Sequence, residues 1–388
     1  MPAHRVASRT AQLPAREGRA LSPTTIPLAA PIIGEEELRA ADRVLRSGQL
    51  AQGHEVAAFE DEFREVAGTA YGVAVNSGTS ALHLGLIAAG IGAGDEVIVP
   101  SFTFAATANA VVLAGATPVF ADIDPRSFCL APDAVAAAIT PSTAAIVAVH
   151  LYGHPAAMNE LSGIAERASL AIFEDAAQAH GAKLDGVPAG SFGAFGAFSF
   201  YPTKNMTCGE GGMVTTSRPE LDRAVRLLRN QGMQRRYENE IVGFNARMTD
   251  LQAAIGRAQL AKLAEWTARR QRNAAVLDAG LRNVTLPAVA DGALHVYHQY
   301  TIRVPADERD RIVAQLADRG VQTGVYYPLP THRLPSFART DDLPETERAA
   351  AEVISLPVHP ALSDGDLDLI VASVNAVSGA GAGAEARH

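Results

Sequence analysis

Residues 198–206 read FSFYPTKNM and place Lys204 in an otherwise apolar and aromatic run. Burial of an ammonium group is costly, so the loss of hydration lowers its pKa toward that of a neutral, nucleophilic amine. An enzyme that bonds covalently to an aldehyde needs such an amine. The chain has two further lysines, Lys183 in a turn signal and Lys262 on a polar-faced helix, which we expect on the solvated surface. Lys204 is therefore the candidate nucleophile.

Upstream of this run, an apolar strand ends on a carboxylate. Residues 173–181 read FEDAAQAHG, which places Asp175 at the rim where α/β sheets bind ligands. A buried carboxylate there can pair with a protonated ring nitrogen and hold it positive. The simpler alternative is that Asp175 caps the next helix. If that helix began at once, Gln178 would lie on the same side as Asp175.

A third pattern, NSGTS at residues 76–80, follows a predicted strand and opens a predicted helix. Free N–H groups at a helix N-terminus suit a phosphate, and Gly78 lets the backbone approach closely. The alternative is an ordinary capped helix. Ser199 could contact the same phosphate, and the GEGG run at residues 209–212 lets the backbone pass close to a ligand.

These three patterns, a phosphate cradle, a strand-end aspartate and a buried lysine, meet the needs of pyridoxal 5'-phosphate (PLP) in combination. The phosphate would anchor the coenzyme, Asp175 would tune its ring and Lys204 would hold its aldehyde. The combination is far more specific than any one member.

The predicted elements between residues 26 and 265 alternate between helices and short apolar strands. The predicted strands are Tyr71–Val75, Glu96–Val99, Pro118–Ala121, Ala145–His150 and Ala171–Glu174. This alternation predicts an α/β fold, a large domain over residues 26–265 with a mostly parallel central sheet flanked by helices.

The pattern of predicted helices and strands changes after Trp266. The new pattern predicts a smaller α+β C-terminal domain over residues 266–377. A long helical stretch, Ala253–Leu281, would bridge the two domains, and Val321–Tyr327 is a strand-like run. We expect residues 1–25 to be a disordered leader and residues 378–388 to be a flexible tail.

Composition excludes several classes of protein. The 388 residues carry a net charge of −9, which argues against a nucleic-acid binder. The longest apolar stretch, residues 105–121, has polar interruptions, so no membrane span is expected. Two cysteines without a CxxC pair suit a reducing, cytoplasmic setting. His150 and His154 have i,i+4 spacing, but Pro155 breaks a helix there, so we expect no metal site.

On these residues the sequence resembles the DegT/DnrJ/StrS group of PLP-dependent sugar aminotransferases, from about Ile26 to Ser373. The segments that carry the resemblance are NSGTSALHL (76–84), VPSFTFAATANAV (99–111), EDAAQAHGA (174–182), FSFYPTKNM (198–206), GFNARMTDLQAAIG (243–256) and SLPVHPALS (355–363). It implies the PLP-dependent transferase fold of type I. A related branch of dehydratases has His in place of Lys204, so the lysine favours amino transfer.

The resemblance also implies a role for each matching residue. Gly78, Thr79 and Ser199 would bind the phosphate, Phe104 would stack on the ring, Asp175 would pair with its nitrogen, Gln178 would lie near its 3-hydroxyl, Lys204 would hold the aldehyde, and Asn245 would reach the phosphate from the neighbouring subunit of a homodimer. Arg235, Tyr326 and His332 lie in segments where the family contacts its sugar. Gln49 stands where the family often has an aromatic residue.

The implied activity is transfer of an amino group, from glutamate by analogy, to a keto group of a nucleotide-linked sugar. Three alternatives stay open at this point. The acceptor could be a keto-cyclitol or another cyclic ketone, and the same motifs would serve it. A cysteine desulfurase would need a mobile catalytic cysteine, and neither Cys129 nor Cys208 lies in an evident flexible loop. A non-catalytic PLP-binding regulator would have little reason to keep Lys204, Asp175 and Ser199 together.

Overall fold

The computed structural model describes residues 25–379. The predicted leader, residues 1–25, therefore lies outside the described residues except for Thr25. The predicted tail lies outside them from residue 380 onward.

Helices and strands alternate along the described chain. The helices are α1 (Glu35–Ser47), α2 (His54–Ala67), α3 (Gly78–Ala88), α4 (Ala106–Leu113), α5 (Pro132–Ala138), α6 (Met158–Ala168), α7 (Pro219–Arg229), α8 (Asp250–Leu260), α9 (Leu263–Gly280), α10 (Arg309–Asp318), α11 (Pro344–Glu352) and α12 (Asp364–Ser378). The strands are β1 (Tyr71–Val75), β2 (Glu96–Pro100), β3 (Thr117–Ala121), β4 (Thr143–Val149), β5 (Ala171–Asp175), β6 (Lys183–Leu184), β7 (Val187–Pro188), β8 (Gly196–Ser199), β9 (Gly212–Thr216), β10 (Met233–Arg235), β11 (Glu238–Asn239), β12 (Ala293–Leu294), β13 (Tyr300–Arg303) and β14 (Val353–Leu356).

A seven-stranded sheet in the order β1-β9-β8-β5-β4-β2-β3 forms the centre of the molecule. Strands β8, β5, β4, β2 and β3 run parallel to their neighbours in that series. Strand β9 is antiparallel to both β1 and β8. The mostly parallel sheet with helices confirms the predicted α/β fold, and the antiparallel β9 is a feature that the sequence pattern did not predict.

The central strands are buried because helices cover the sheet. Helix α3 packs on β8 and β9, and helix α2 packs on β1. The carboxyl ends of parallel strands meet at one edge of the sheet, where α/β proteins bind ligands. Val149, Asp175 and Ser199 end β4, β5 and β8 at this edge, so the sheet brings together residues far apart in sequence.

The C-terminal part has an apolar core of its own. Strands β13 and β14 pair antiparallel, and a cluster that includes Tyr300, Ile302, Ile354 and Leu356 is buried between them and nearby helices. The predicted boundary between residues 265 and 266 falls inside α9. That division into two domains stays a prediction.

Two predicted elements differ from the structure. The long helix over Ala253–Leu281 is two helices, α8 and α9, which are separated by Ala261 and Lys262.

The Lys262 ammonium lies 2.7 Å from buried Glu37, so this lysine is a half-buried ion-pair partner and not the solvated residue that we expected.

The run Val321–Tyr327 forms no continuous strand. Val321 makes an isolated parallel bridge with Ile26, whereas Gly324 makes an isolated antiparallel bridge with Ser355. Because the segment changes partners within three residues, no regular ladder can form. In residues 25–379, no helix is long and apolar enough to cross a membrane, and no cluster of three His, Cys, Asp or Glu side chains is placed to hold a metal ion.

Candidate active site

A cavity of about 430 Å³ opens at the carboxyl edge of the central sheet. Its walls come from the ends of β4, β5 and β8, the start of α3, and two later segments at residues 298–299 and 326–327. Eight of the predicted site residues line it: Gly78, Thr79, Phe104, Asp175, Gln178, Ser199, Lys204 and Tyr326. Lys204 is the only lysine or arginine among the lining residues.

Lys204 lies in a turn that follows the end of β8. Its backbone N–H donates to the carbonyl of Tyr201 at 2.9 Å. Within residues 25–379 its ammonium has neither a hydrogen-bond acceptor nor an ion-pair partner, and only burial and the charge of Asp175 shift its pKa. Burial lowers the pKa of Lys204 to about 8, and the charge of Asp175 opposes that shift. The neutral, nucleophilic fraction near neutral pH is therefore far larger than that of a lysine with the usual pKa.

Asp175 is buried at the end of β5. Its Oδ2 accepts a hydrogen bond from the Thr107 hydroxyl at 2.7 Å, and its Oδ1 accepts one from the N–H of Ala177 at 3.2 Å. Burial raises the pKa of Asp175, while these two donors oppose the shift. The chain continues in turns and begins no helix here, so the alternative that Asp175 caps a helix is wrong.

Gln178 is fixed in one orientation by two partners. Its Oε1 accepts from the N–H of Tyr152 at 2.7 Å, and its Nε2 donates to the Tyr327 hydroxyl at 3.2 Å. The amide has two N–H groups, and the contact to Tyr327 uses one of them. Gln178 thus offers a donor at the cavity wall, although the local structure is a turn and not the helix that would have aligned it with Asp175.

The N-terminus of α3 forms another part of the cavity wall. The Ser77 hydroxyl caps the helix by accepting from the N–H of Ser80 at 3.1 Å. The N–H groups of Gly78 and Thr79 have no acceptor inside the helix, as in any first turn. A Cβ atom on Gly212 would lie 2.3 Å from the Ser77 carbonyl oxygen, so β9 and the cap are in close backbone contact. This end can bind a phosphate.

Phe104 lies at the cavity just before α4, and 60% of its surface is exposed. Its ring centroid is 6.1 Å from that of Tyr327, with the planes tilted by 36°. An aromatic ring with this much free surface beside a cavity can cover a flat ligand. The residues present thus fit PLP, with a phosphate cradle, an aromatic ring, an amine of low pKa and a buried carboxylate on one cavity.

Comparison with known proteins identifies the family. Residues 31–375 match the DegT/DnrJ/EryC1/StrS aminotransferase family. The chain belongs to this family. A dTDP-3-amino-3,4,6-trideoxy-alpha-D-glucose transaminase of Streptomyces venezuelae is 44% identical over 84% of this chain and 89% of its own length. A pleiotropic regulatory protein of Geobacillus stearothermophilus is 41% identical over 87% of this chain and 93% of its own length. A Streptococcus pneumoniae protein solved in a PLP form has a TM-score of 0.88 and 29% identity, and covers 92% of this chain and 99% of its own.

Three of the site residues predicted for this aminotransferase lie outside the cavity of their own chain. Asn245 is exposed, and its backbone forms an isolated bridge with Asn230. Arg235 is exposed on the small β10–β11 hairpin. His332 is fully buried, and its Nδ1 lies 2.6 Å from the Ser101 hydroxyl. None of the three lines the cavity.

Two residues at or behind the cavity wall escaped the sequence analysis. Thr107 bonds Asp175 from α4, and its position follows from the packing of the chain rather than from any local pattern. His298 lines the cavity beside Lys204, and burial lowers its pKa well below the usual value. His298 Nδ1 lies 3.2 Å from the Asn205 side-chain oxygen. No signal in the sequence connects residue 298 with residue 204.

Proposed function

We propose that this aminotransferase uses PLP to transfer an amino group, from glutamate, to a keto group of a nucleotide-linked sugar. The observation that carries the proposal is that Lys204, Asp175 and the N-terminus of α3 line one cavity. The named activity of the Streptomyces relative supports the sugar acceptor, and the PLP form of the Streptococcus structure supports the coenzyme. Bound PLP supplies an electron sink for removal of the proton on the donor Cα.

In this proposal each residue of the cavity has one task. The N–H groups of Gly78 and Thr79 and the Ser199 hydroxyl bind the phosphate, because they offer donors at one end. Asp175 holds a proton on the ring nitrogen through a charge-assisted hydrogen bond.

Three further side chains act around the ring. Phe104 covers one face, and Gln178 donates to the 3-oxygen. The neutral Nζ of Lys204 would act as the general base that takes the proton from the donor Cα and, once protonated, as the general acid that returns a proton.

We further propose that the enzyme works as a homodimer in the cytoplasm. Asn245 is exposed and outside its own cavity, which suits a contact to the phosphate of a second copy. Among residues 25–379 no arginine lines the cavity, so Arg235 on its exposed hairpin is a candidate contact to the acceptor's anionic end. Tyr326 lines the cavity and is the candidate contact near the sugar. The cytoplasmic location rests on two buried, free cysteines.

The test is a pair of half-reactions. The purified protein with PLP is mixed with glutamate, and the visible absorbance of the coenzyme is followed. The pyridoxamine-phosphate form is then offered nucleotide-linked keto sugars and keto-cyclitols, and the return of the absorbance is measured. We expect return with the nucleotide-linked sugars and none for Lys204→Ala. A protein that binds PLP yet ignores glutamate would instead be a regulator, and a protein that accepts only cyclitols would contradict the sugar acceptor.

The shared site is tested by mixing two inactive variants, Lys204→Ala and Asn245→Asp, under conditions that exchange subunits. If Asn245 serves the partner's site, each mixed dimer has one intact site, because its working lysine and its working asparagine meet there. Equal mixing should then restore about one quarter of the wild-type activity. If Asn245 served its own subunit, no site in the mixture would be intact and no activity would return.

A further inference from the structure

A chain of two threonine hydroxyls ends on the Asp175 carboxylate. The Thr107 hydroxyl donates to Asp175 Oδ2 at 2.7 Å, and Thr103 Oγ1 lies 2.9 Å from Thr107 Oγ1. All three side chains are buried. The carbonyl of Thr103 accepts from the Thr331 hydroxyl at 2.8 Å, which fixes the outer end of the chain.

The hydrogen bonds of this chain can run in only one direction while Asp175 is ionised. A hydroxyl has a single proton, and Thr107 gives its proton to Asp175. In the contact with Thr103, Thr107 must therefore be the acceptor and Thr103 the donor. Consecutive hydrogen bonds of the same sense polarise one another, so the Thr103 bond strengthens the donation from Thr107.

The other charged and polar groups around Asp175 do not replace the Thr107 hydroxyl as a hydrogen-bond donor to its carboxylate. Lys204 and His150 are the basic side chains that lower the pKa of Asp175, and the charge of Asp175 in turn raises the pKa of Tyr327. The Nδ1 of His150 accepts from the N–H of Ala156 at 3.0 Å, so its proton lies on Nε2.

That Nε2 proton points at the buried Glu174 carboxylate, 2.9 Å away, and not at Asp175. Within residues 25–379, the donors to Asp175 are thus the Thr107 hydroxyl and the N–H of Ala177, which is the longer contact at 3.2 Å.

We propose that Thr107 is a positioning residue that acts through Asp175, holding the carboxylate in one orientation and in its ionised form so that it keeps the ring nitrogen of the coenzyme protonated. This inference rests on the proposed function. An ionised carboxylate can accept about four hydrogen bonds. Thr107 and the N–H of Ala177 occupy one site on each oxygen, so acceptor sites remain for the ring nitrogen. The same short segment carries Phe104. Residues 103–107 would therefore both cover one face of the ring and orient the carboxylate that pairs with the ring nitrogen.

The test uses Thr107→Val, which keeps the shape but removes the hydroxyl, and Thr107→Ser, which keeps the hydroxyl. Each holoenzyme is prepared with PLP labelled with ¹⁵N in the ring, and the ring-nitrogen chemical shift is measured beside the rate of the glutamate half-reaction. For Thr107→Val we expect a shift toward neutral pyridine and a rate about 10- to 100-fold lower. Thr107→Ser should restore the wild-type shift and a rate within about threefold of wild type.

Two further variants make the outcome decisive. Thr103→Val should move the shift in the same direction by less, and it serves as the test if Thr107→Val does not fold. Thr346→Val, at a buried threonine outside the cavity, should leave the shift unchanged. A wild-type shift in both Thr107→Val and Thr103→Val overturns the inference, as does a defect in Thr107→Ser that equals that of Thr107→Val. Failure of the proposed function would show instead in the wild type, as PLP binding without amino transfer.

Discussion

Gly78 lies so close to Ser199 that a Cβ atom on the glycine would come within 2.7 Å of the serine Cβ. The first turn of α3 therefore rests directly on the end of β8. Both residues line the cavity, and the contact fixes the spacing between the helix N–H groups and the serine hydroxyl. A side chain at residue 78 would have to push these two phosphate-binding elements apart.

Gly78→Ala should accordingly weaken PLP binding, because real Cβ atoms do not approach this closely and the helix start or Ser199 must move. We expect the dissociation constant for PLP, measured by fluorescence titration, to rise at least about tenfold while circular dichroism stays that of the wild type. The matched control is Gly365→Ala on α12, where a Cβ has no close neighbour, so this variant should bind PLP as the wild type does. Equal PLP affinity in Gly78→Ala and wild type would contradict the proposal that the start of α3 and Ser199 bind the phosphate of PLP.

The pKa of Lys204 can be checked in the apo-protein. The neutral amine attacks the aldehyde of PLP, so the association rate should rise with pH through a midpoint near 8 rather than near the usual value for lysine. Because burial lowers this pKa and the charge of Asp175 raises it, Asp175→Asn should move the midpoint to lower pH. Stopped-flow absorbance at a series of pH values gives both midpoints. A wild-type midpoint above pH 10 would mean that the ammonium is solvated.

Asp175→Asn should also slow chemistry, since the amide has no charge with which to hold a proton on the ring nitrogen. We expect the single-turnover rate with glutamate to fall by about 100- to 1000-fold. Asp185→Asn, a change of the same kind on a residue outside the cavity, is the control. Unchanged single-turnover rates in Asp175→Asn would remove this residue from the chemistry.

The strand that leads into the phosphate end is held by a buried ion pair. Glu60 on α2 pairs with Arg229 and lies 2.7 Å from Arg226, and its Oε1 also accepts from the N–H of Ala74 in β1 at 2.9 Å. Glu60→Ala leaves the Arg229 guanidinium buried without its carboxylate and should cost about 3–5 kcal/mol in the free energy of unfolding.

The neighbouring residue provides the control for that measurement. Asp61 forms an exposed pair with Arg64 at 3.3 Å, so Asp61→Ala should change the free energy of unfolding by less than about 1 kcal/mol. Denaturant titration of both variants gives the comparison. A similar loss in the two would show that burial adds nothing to the Glu60 interaction.

Local patterns predicted the part of the site that follows directly from a strand or helix end. Asp175, Lys204 and Gly78 each lie within a few residues of such an end, so periodicity and residue type located them. The helix assumed after Asp175 was wrong because the backbone closes two successive turns, in which the N–H of Ala179 donates to Ala176 and the N–H of Ala182 donates to Ala179. Gly181 has a positive φ, which ends any helical path there. His298 reaches the cavity, and Thr107 reaches Asp175, through tertiary packing, and no spacing within the sequence encodes either contact. The antiparallel β9 was missed for the same reason, since strand direction depends on which neighbour the strand meets.

The scarcity of cations around the cavity has an evolutionary consequence. Among residues 25–379, Lys204 is the only lysine or arginine in the lining, so an anionic substrate group can find a second cationic partner only beyond these walls. In the proposed function, mutations that alter the recognised nucleotide can therefore accumulate at the periphery without disturbing proton transfer. A gene duplicate of such a protein could drift to a new acceptor in small, individually tolerated steps, and the chemistry would be inherited unchanged.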